Sequence, residues 1–165
     1  MIDKALRSSN PYAAPLDTAR TLECIHGYSV RAIILGLLVD VVATNVAVVV
    51  VSIAAAAVLM QGGESTYAIT QILQQSTSYQ GMLIAIGVGG SVFGGYVTAR
   101  VAQRCELRHA AATGIASILL SLVLLALLPD GQPQWALAAG LIVILPSALL
   151  GGYLARRRAG ASVAR

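Results

Sequence analysis

Four long apolar stretches alternate with polar ones along the chain: residues 32–60, 82–102, 110–128 and 135–155. A helix rises 1.5 Å per residue, so about 20 residues cross the ~30 Å hydrocarbon core of a bilayer. Each stretch is of that order, and the first overshoots it and must tilt or project. Val48 to Val51 is a β-branched run inside the first stretch. In water such a run weakens a helix; in lipid, unpaired backbone groups cost far more, and helix is retained. The pattern therefore predicts an all-α fold: an integral membrane four-helix bundle with short interfacial helices.

The polar segments carry their own signals. Residues 1–16 hold two prolines and no apolar period, which reads as a flexible tail on the cytoplasmic side. From Asp17, a capping residue, Ala19, Leu22, Cys24 and Ile25 fall on one side, predicting an amphipathic surface helix over 17–28. In the 61–80 loop, Gly62-Gly63 ends the first span and Ser65 can cap a short helix whose Ala68, Ile69, Ile72 and Leu73 share a face. PDGQPQ at 129–134 reads as a tight hairpin, Pro146 as a kink in the fourth span, and 156–165 as a basic cytoplasmic tail.

Composition excludes a soluble domain. Hydrophobic residues make up 57% of the chain and charged ones 11%, against about 25% charged in a soluble domain. The formal charge of +4 would suggest nucleic acid elsewhere, but its distribution explains it here. All 11 basic residues fall in the N-terminal tail, the connection between spans two and three, or the C-terminal tail; 61–80 and 129–134 have none. By the positive-inside rule this is an N-in, C-in multi-pass protein. Cys24 and Cys105 then lie on the cytoplasmic side, where thiols stay reduced. They show no metal spacing.

Small residues concentrate in the second span. Gly90-x-x-x-Gly94 and Ser91-x-x-x-Gly95 put them on one stripe, where a neighbouring helix can approach closely. Gly87, Gly90, Ser91, Gly94, Gly95 and Gly114 are the candidate packing positions. Gly94-Gly95-Tyr96-Val97-Thr98-Ala99-Arg100 recurs as Gly151-Gly152-Tyr153-Leu154-Ala155-Arg156-Arg157, an offset of 57 with four of seven positions identical. That is either a parallel repeat or the shared signature of helices leaving a membrane inward.

Asp40 is the one acidic residue within a span. Intramembrane carboxylates pair structurally or serve ion and proton pathways. If the first span begins near residue 36, Asp40 is about one turn inside the cytoplasmic boundary, level with Arg100, Arg156 and Arg157. A buried ion pair with Arg100 is the expectation, and a titrating transport carboxylate is the alternative. His109, at the start of the third span, reads as an interfacial anchor. Arg156, Arg157 and Arg158 form a lipid-facing basic anchor for anionic headgroups. Trp135, with Tyr67 or Tyr79, and Tyr96, with Tyr153, mark the two interfaces. No Ser-His-Asp set, paired carboxylates, HExxH or complete dinucleotide fingerprint is present, so no enzyme activity, metal, cofactor or nucleic-acid partner is expected.

Gly36-x-x-x-Asp40, then Gly94-Gly95-Tyr96-x-x-Ala99-Arg100, then His109 resembles a broad group of small bacterial four-helix membrane proteins of unknown function, over about residues 30–155. The resemblance implies a bacterial cytoplasmic (inner) membrane and supplies no activity. Two functions are then expected. The first is a non-catalytic accessory or structural subunit of a larger membrane complex, or a homo-oligomer. The second is a small proton-coupled transporter acting as a dimer, with Asp40 as its titrating group.

Overall fold

The structure, a computed structural model, describes residues 29–63, 65–102, 105–127 and 132–163, the last five in backbone only. The expected tail at 1–16, the surface helix at 17–28 and the first half of the 129–134 hairpin lie outside the described residues. The rest is helical: α1 Val30–Gln61, α2 Thr66–Gln75, α3 Thr77–Ala102, α4 Glu106–Leu127 and α5 Gln134–Val163. Among the described residues there is no strand. Four of the helices, α1, α3, α4 and α5, are long and apolar enough to cross a membrane.

Each helix end has a local cause. Ser29 caps α1, its carbonyl accepting from the Ala32 amide at 3.0 Å. Gly63 ends the turn after α1 at φ +80°, a left-handed conformation that glycine adopts without a Cβ clash. The Ser65 hydroxyl accepts from the Ala68 amide at 3.3 Å and starts α2. The Ser76 hydroxyl does the same for Tyr79 at 3.3 Å and starts α3. Cys105 turns the chain between α3 and α4 at φ 53°, and its carbonyl accepts from the Arg108 amide at 3.0 Å. Pro146 does not break α5. Its missing N–H frees one carbonyl, and the neighbouring Ser147 hydroxyl bonds the Val143 carbonyl at 2.6 Å.

The helices pack in the spatial order α1, α3, α5, α4, with α1 and α4 meeting only sparsely to close the ring. The end carrying Arg31, Arg100, Arg108 and Arg156 is called the basic end; the end carrying α2 is the loop end. At the basic end glycines bring backbones into contact. A Cβ at Gly95 would overlap the Ala148 carbonyl oxygen, and one at Gly151 would overlap that of Val92 and lie 2.8 Å from the Tyr96 nitrogen. The two copies of the repeated segment thus sit on each other across the α3–α5 contact. Gly94 faces α1, where a Cβ would lie 2.7 Å from that of Asp40. Gly152 faces α4, 2.6 Å from the Ala110 Cβ.

Toward the loop end the helices separate. A Cβ at Gly87 or Gly140, which both line the gap, would meet nothing within 4 Å. Gly87, one of the expected packing positions, lines open space instead.

Candidate functional site

A cavity of about 560 Å³ occupies the space that the diverging helices leave. All four long helices line it. Gln80 and Gln132 stand at its loop end, and aliphatic side chains such as Val48, Leu83, Ile84 and Leu137 form the walls. Asp40 lies at the other extreme, beside Thr44, Ser91 and Ser117. Of the lining residues it alone carries a formal charge.

The Asp40 carboxylate is held by hydroxyls. Ser117 donates to Oδ2 at 2.7 Å, a short charge-assisted bond. Ser91 reaches Oδ1 at 3.4 Å and Thr44 reaches it at 3.5 Å, both long for O–H donors. A carboxylate offers about four acceptor sites, two on each oxygen, so these three donors leave one site, on Oδ2, for a further donor. The residue itself is only 7% exposed.

Asp40 and Arg100 are not brought together. Asp40 packs level with Gly90 and Gly94; Arg100 lies six residues beyond Gly94, about 9 Å further toward the basic end. Its guanidinium sits 5.9 Å from the Tyr96 ring centroid. The axial alignment of α1 with its neighbours, which the sequence does not carry, separates Asp40 from Arg100. The Ser29 amide donates to His109 Nε2 at 2.9 Å, which aligns the start of α1 with the start of α4. Eleven residues on, Asp40 reaches Ser117, midway along α4, where arginines at the bundle end are out of range.

The basic side of Asp40 is closed. Thr98 and Thr113 are fully buried, with hydroxyl oxygens 2.9 Å apart. Thr98 also donates to the Gly94 carbonyl at 2.9 Å and Thr113 to that of His109 at 3.0 Å. A Cβ at Gly36 would overlap the Thr98 hydroxyl, so α1 presses directly on this layer. Below it, His109 Nδ1 faces the Cys105 carbonyl at 3.1 Å while Nε2 accepts from Ser29. Cys105 is not the reduced thiol expected from its position: it is disulfide-bonded. Cys24 lies outside the described residues.

Sequence reasoning singled out Asp40, but not the roles of Ser117, Thr98 and Thr113 around it. A signal existed. His109, Thr113, Ser117 and Ser121 recur every fourth residue, a polar stripe along one face of an otherwise leucine-rich helix. Gly90, Gly94, Gly95 and Gly114 all have a neighbour closer than ordinary contact, whereas Gly87 has none. Arg156, Arg157 and Arg158 are all exposed at the end of α5.

Comparison with protein families, with curated proteins and with solved structures returns no match. The functional argument therefore rests on the site's own geometry.

Proposed function

We propose that this chain is a small solute carrier of a bacterial cytoplasmic membrane, with its basic end in the cytoplasm and Asp40 as the group that holds a proton or the donor end of a solute. One observation carries this reading: among the described residues, one charged residue lines the 560 Å³ cavity, and it sits at the closed end with hydroxyls as its partners. A charge at that depth is costly unless something neutralises or pairs it. A proton or a solute does so reversibly, and an arginine would do so permanently. The walls favour a solute with an apolar body. Four helices of one chain line the cavity, so no second copy is required. No catalytic step is part of the proposal.

An accessory subunit or a homo-oligomer would use the exposed flank of α1, where Val42, Val46, Val49, Val50 and Ile53 are all more than half exposed. Lipid contact asks for the same surface. Neither role needs a cavity that ends on a carboxylate, and this decides the choice.

The experiment is carbodiimide labelling followed by vesicle transport. Dicyclohexylcarbodiimide, which modifies protonated carboxyls in apolar surroundings, is expected to label Asp40 in the purified protein. In proteoliposomes with an imposed pH gradient and a trapped pH dye, small solutes are added one at a time. A transported solute should dissipate the gradient in wild type and not in Asp40→Asn. An unlabelled Asp40, or equal dissipation by the variant, removes Asp40 from the mechanism.

A further inference from the structure

A second recess lies on the outside of the bundle, between α3 and α5 at the basic end, with a volume of about 290 Å³. Gly89, Val92, Phe93 and Leu154 form its stem, and Tyr96 and Arg158 form its rim. It owes its depth to Gly89, where a Cβ would meet nothing within 4 Å. Phe93 is 55% exposed and Leu154 40%, so the stem is open to whatever surrounds the bundle. Gly89 lies seven residues from Tyr96, which makes the stem about 10 Å long.

The rim is cationic. Arg158 donates from Nη1 to the Tyr96 hydroxyl at 3.4 Å, with its guanidinium carbon 5.7 Å from the ring centroid. Arg100, from the other helix, has its guanidinium carbon 5.9 Å from the same centroid. Two like charges from two helices therefore converge on one ring. Among the described residues the only carboxylates are Asp40, at the cavity floor, and Glu106, at the start of α4. Neither pairs with these arginines. Guanidinium groups match phosphate geometry through paired N–H donors, and an anion between them would relieve their repulsion.

We infer that this recess binds one anionic phospholipid, with its phosphate held by Arg100 and Arg158 beside Tyr96 and an acyl chain laid along Gly89, Val92, Phe93 and Leu154. Charge sits at the end of the spanning helices and an apolar trough runs from it toward their middle, which is the layout of a lipid molecule in a leaflet. The assignment differs from a diffuse attraction to the Arg156–Arg157–Arg158 run: Arg158 lines the recess and Arg100 reaches the Tyr96 ring at its rim from outside the lining. It is independent of the role given to Asp40.

Native mass spectrometry of the purified full-length chain in a neutral detergent tests this, with dioleoyl phosphatidylglycerol, dioleoyl phosphatidylcholine and inorganic phosphate as probes. The expected result is one phosphatidylglycerol retained per chain, at least tenfold in preference to phosphatidylcholine. Arg100→Gln/Arg158→Gln should lower retention to the phosphatidylcholine level, and Gly89→Leu, which fills the stem and keeps the charges, should weaken it severalfold. Arg156→Gln/Arg157→Gln removes the same net charge and should retain the lipid. Equal retention of the two lipids, or equal loss in the two arginine pairs, overturns the site in favour of general charge attraction. Inorganic phosphate displacing the lipid at equal concentration, or full retention by Gly89→Leu, overturns the lipid assignment in favour of a simple anion site. Thermal unfolding of each variant without lipid separates lost binding from lost fold.

Discussion

The same four helices are built in two ways along their length. Toward the basic end Gly36, Gly94, Gly95, Gly151 and Gly152 bring backbones into direct contact, and Thr98 and Thr113 fill the remaining space with no exposure at all. Toward the loop end a Cβ at Gly87 or Gly140 would touch nothing, and the gap between aliphatic walls forms the cavity. In lipid, apolar side chains gain little from facing one another rather than acyl chains, and helix association depends on close packing and polar contacts. The tight half supplies both. It can hold the bundle together while the other half stays open, and Asp40 sits at the seam.

The largest expected effect comes from adding side chains to the two kinds of glycine. At Gly95 or Gly151 the first added carbon already collides with a carbonyl on the facing helix, and backbone has no rotamer to yield. Leucine at either position is expected to separate α3 from α5 and abolish a cooperative unfolding transition in detergent, at a cost above the ~1–3 kcal/mol usual for overpacking. Gly87→Leu and Gly140→Leu should fold, with midpoints near wild type, because their side chains enter the cavity. Similar losses at all four sites would break the division into a tight and an open half.

These glycines also show what the sequence could and could not reveal. Four apolar stretches, their approximate ends and the short helix after Ser65 are readable because they depend on composition and local spacing. Which glycines make contact is not readable. Gly87 and Gly94 look alike on the same helix, and only the divergence of the neighbours toward the loop end separates them. Asp40 was legible as an anomaly, but its partners were not. They depend on the axial alignment of α1 with α4, which is set by a backbone amide bonding a histidine eighty residues away. An offset of a few residues moved the expected partner from a serine at mid-helix to an arginine at the end.

A smaller effect tests the seam. Of the three hydroxyls on Asp40, only Ser117 makes a short bond, 2.7 Å against 3.4 Å for Ser91 and 3.5 Å for Thr44. A hydrogen bond to a charged group contributes about 1.5–3 kcal/mol, and interhelical polar contacts in membranes average less. Ser117→Ala is expected to lower stability by about 1 kcal/mol, and Ser91→Ala by a fraction of that. Ser117 bridges α4 to α1 where those helices otherwise meet least, so its loss should also speed carbodiimide labelling of Asp40. Equal effects of the two substitutions would mean that both carboxylate oxygens are anchored alike.

The smallest effect on the fold decides which way the comparison faces. Two features of the basic end make opposed claims about its compartment. The 11 basic residues, all outside the 61–80 and 129–134 segments, argue by charge bias for the cytoplasm. The disulfide at Cys105 belongs to an oxidising compartment. The two are not equal in standing. Charge bias acts as the helices insert and fixes orientation then, whereas a disulfide forms afterwards if the surroundings oxidise it. The arginines should therefore prevail, with the open half facing outward. A reporter fused after Arg165 should report the cytoplasm, and one inserted at Gln132 should report the outside. An external signal at the C-terminus would turn the molecule over and make the Asp40 cavity open toward the cytoplasm.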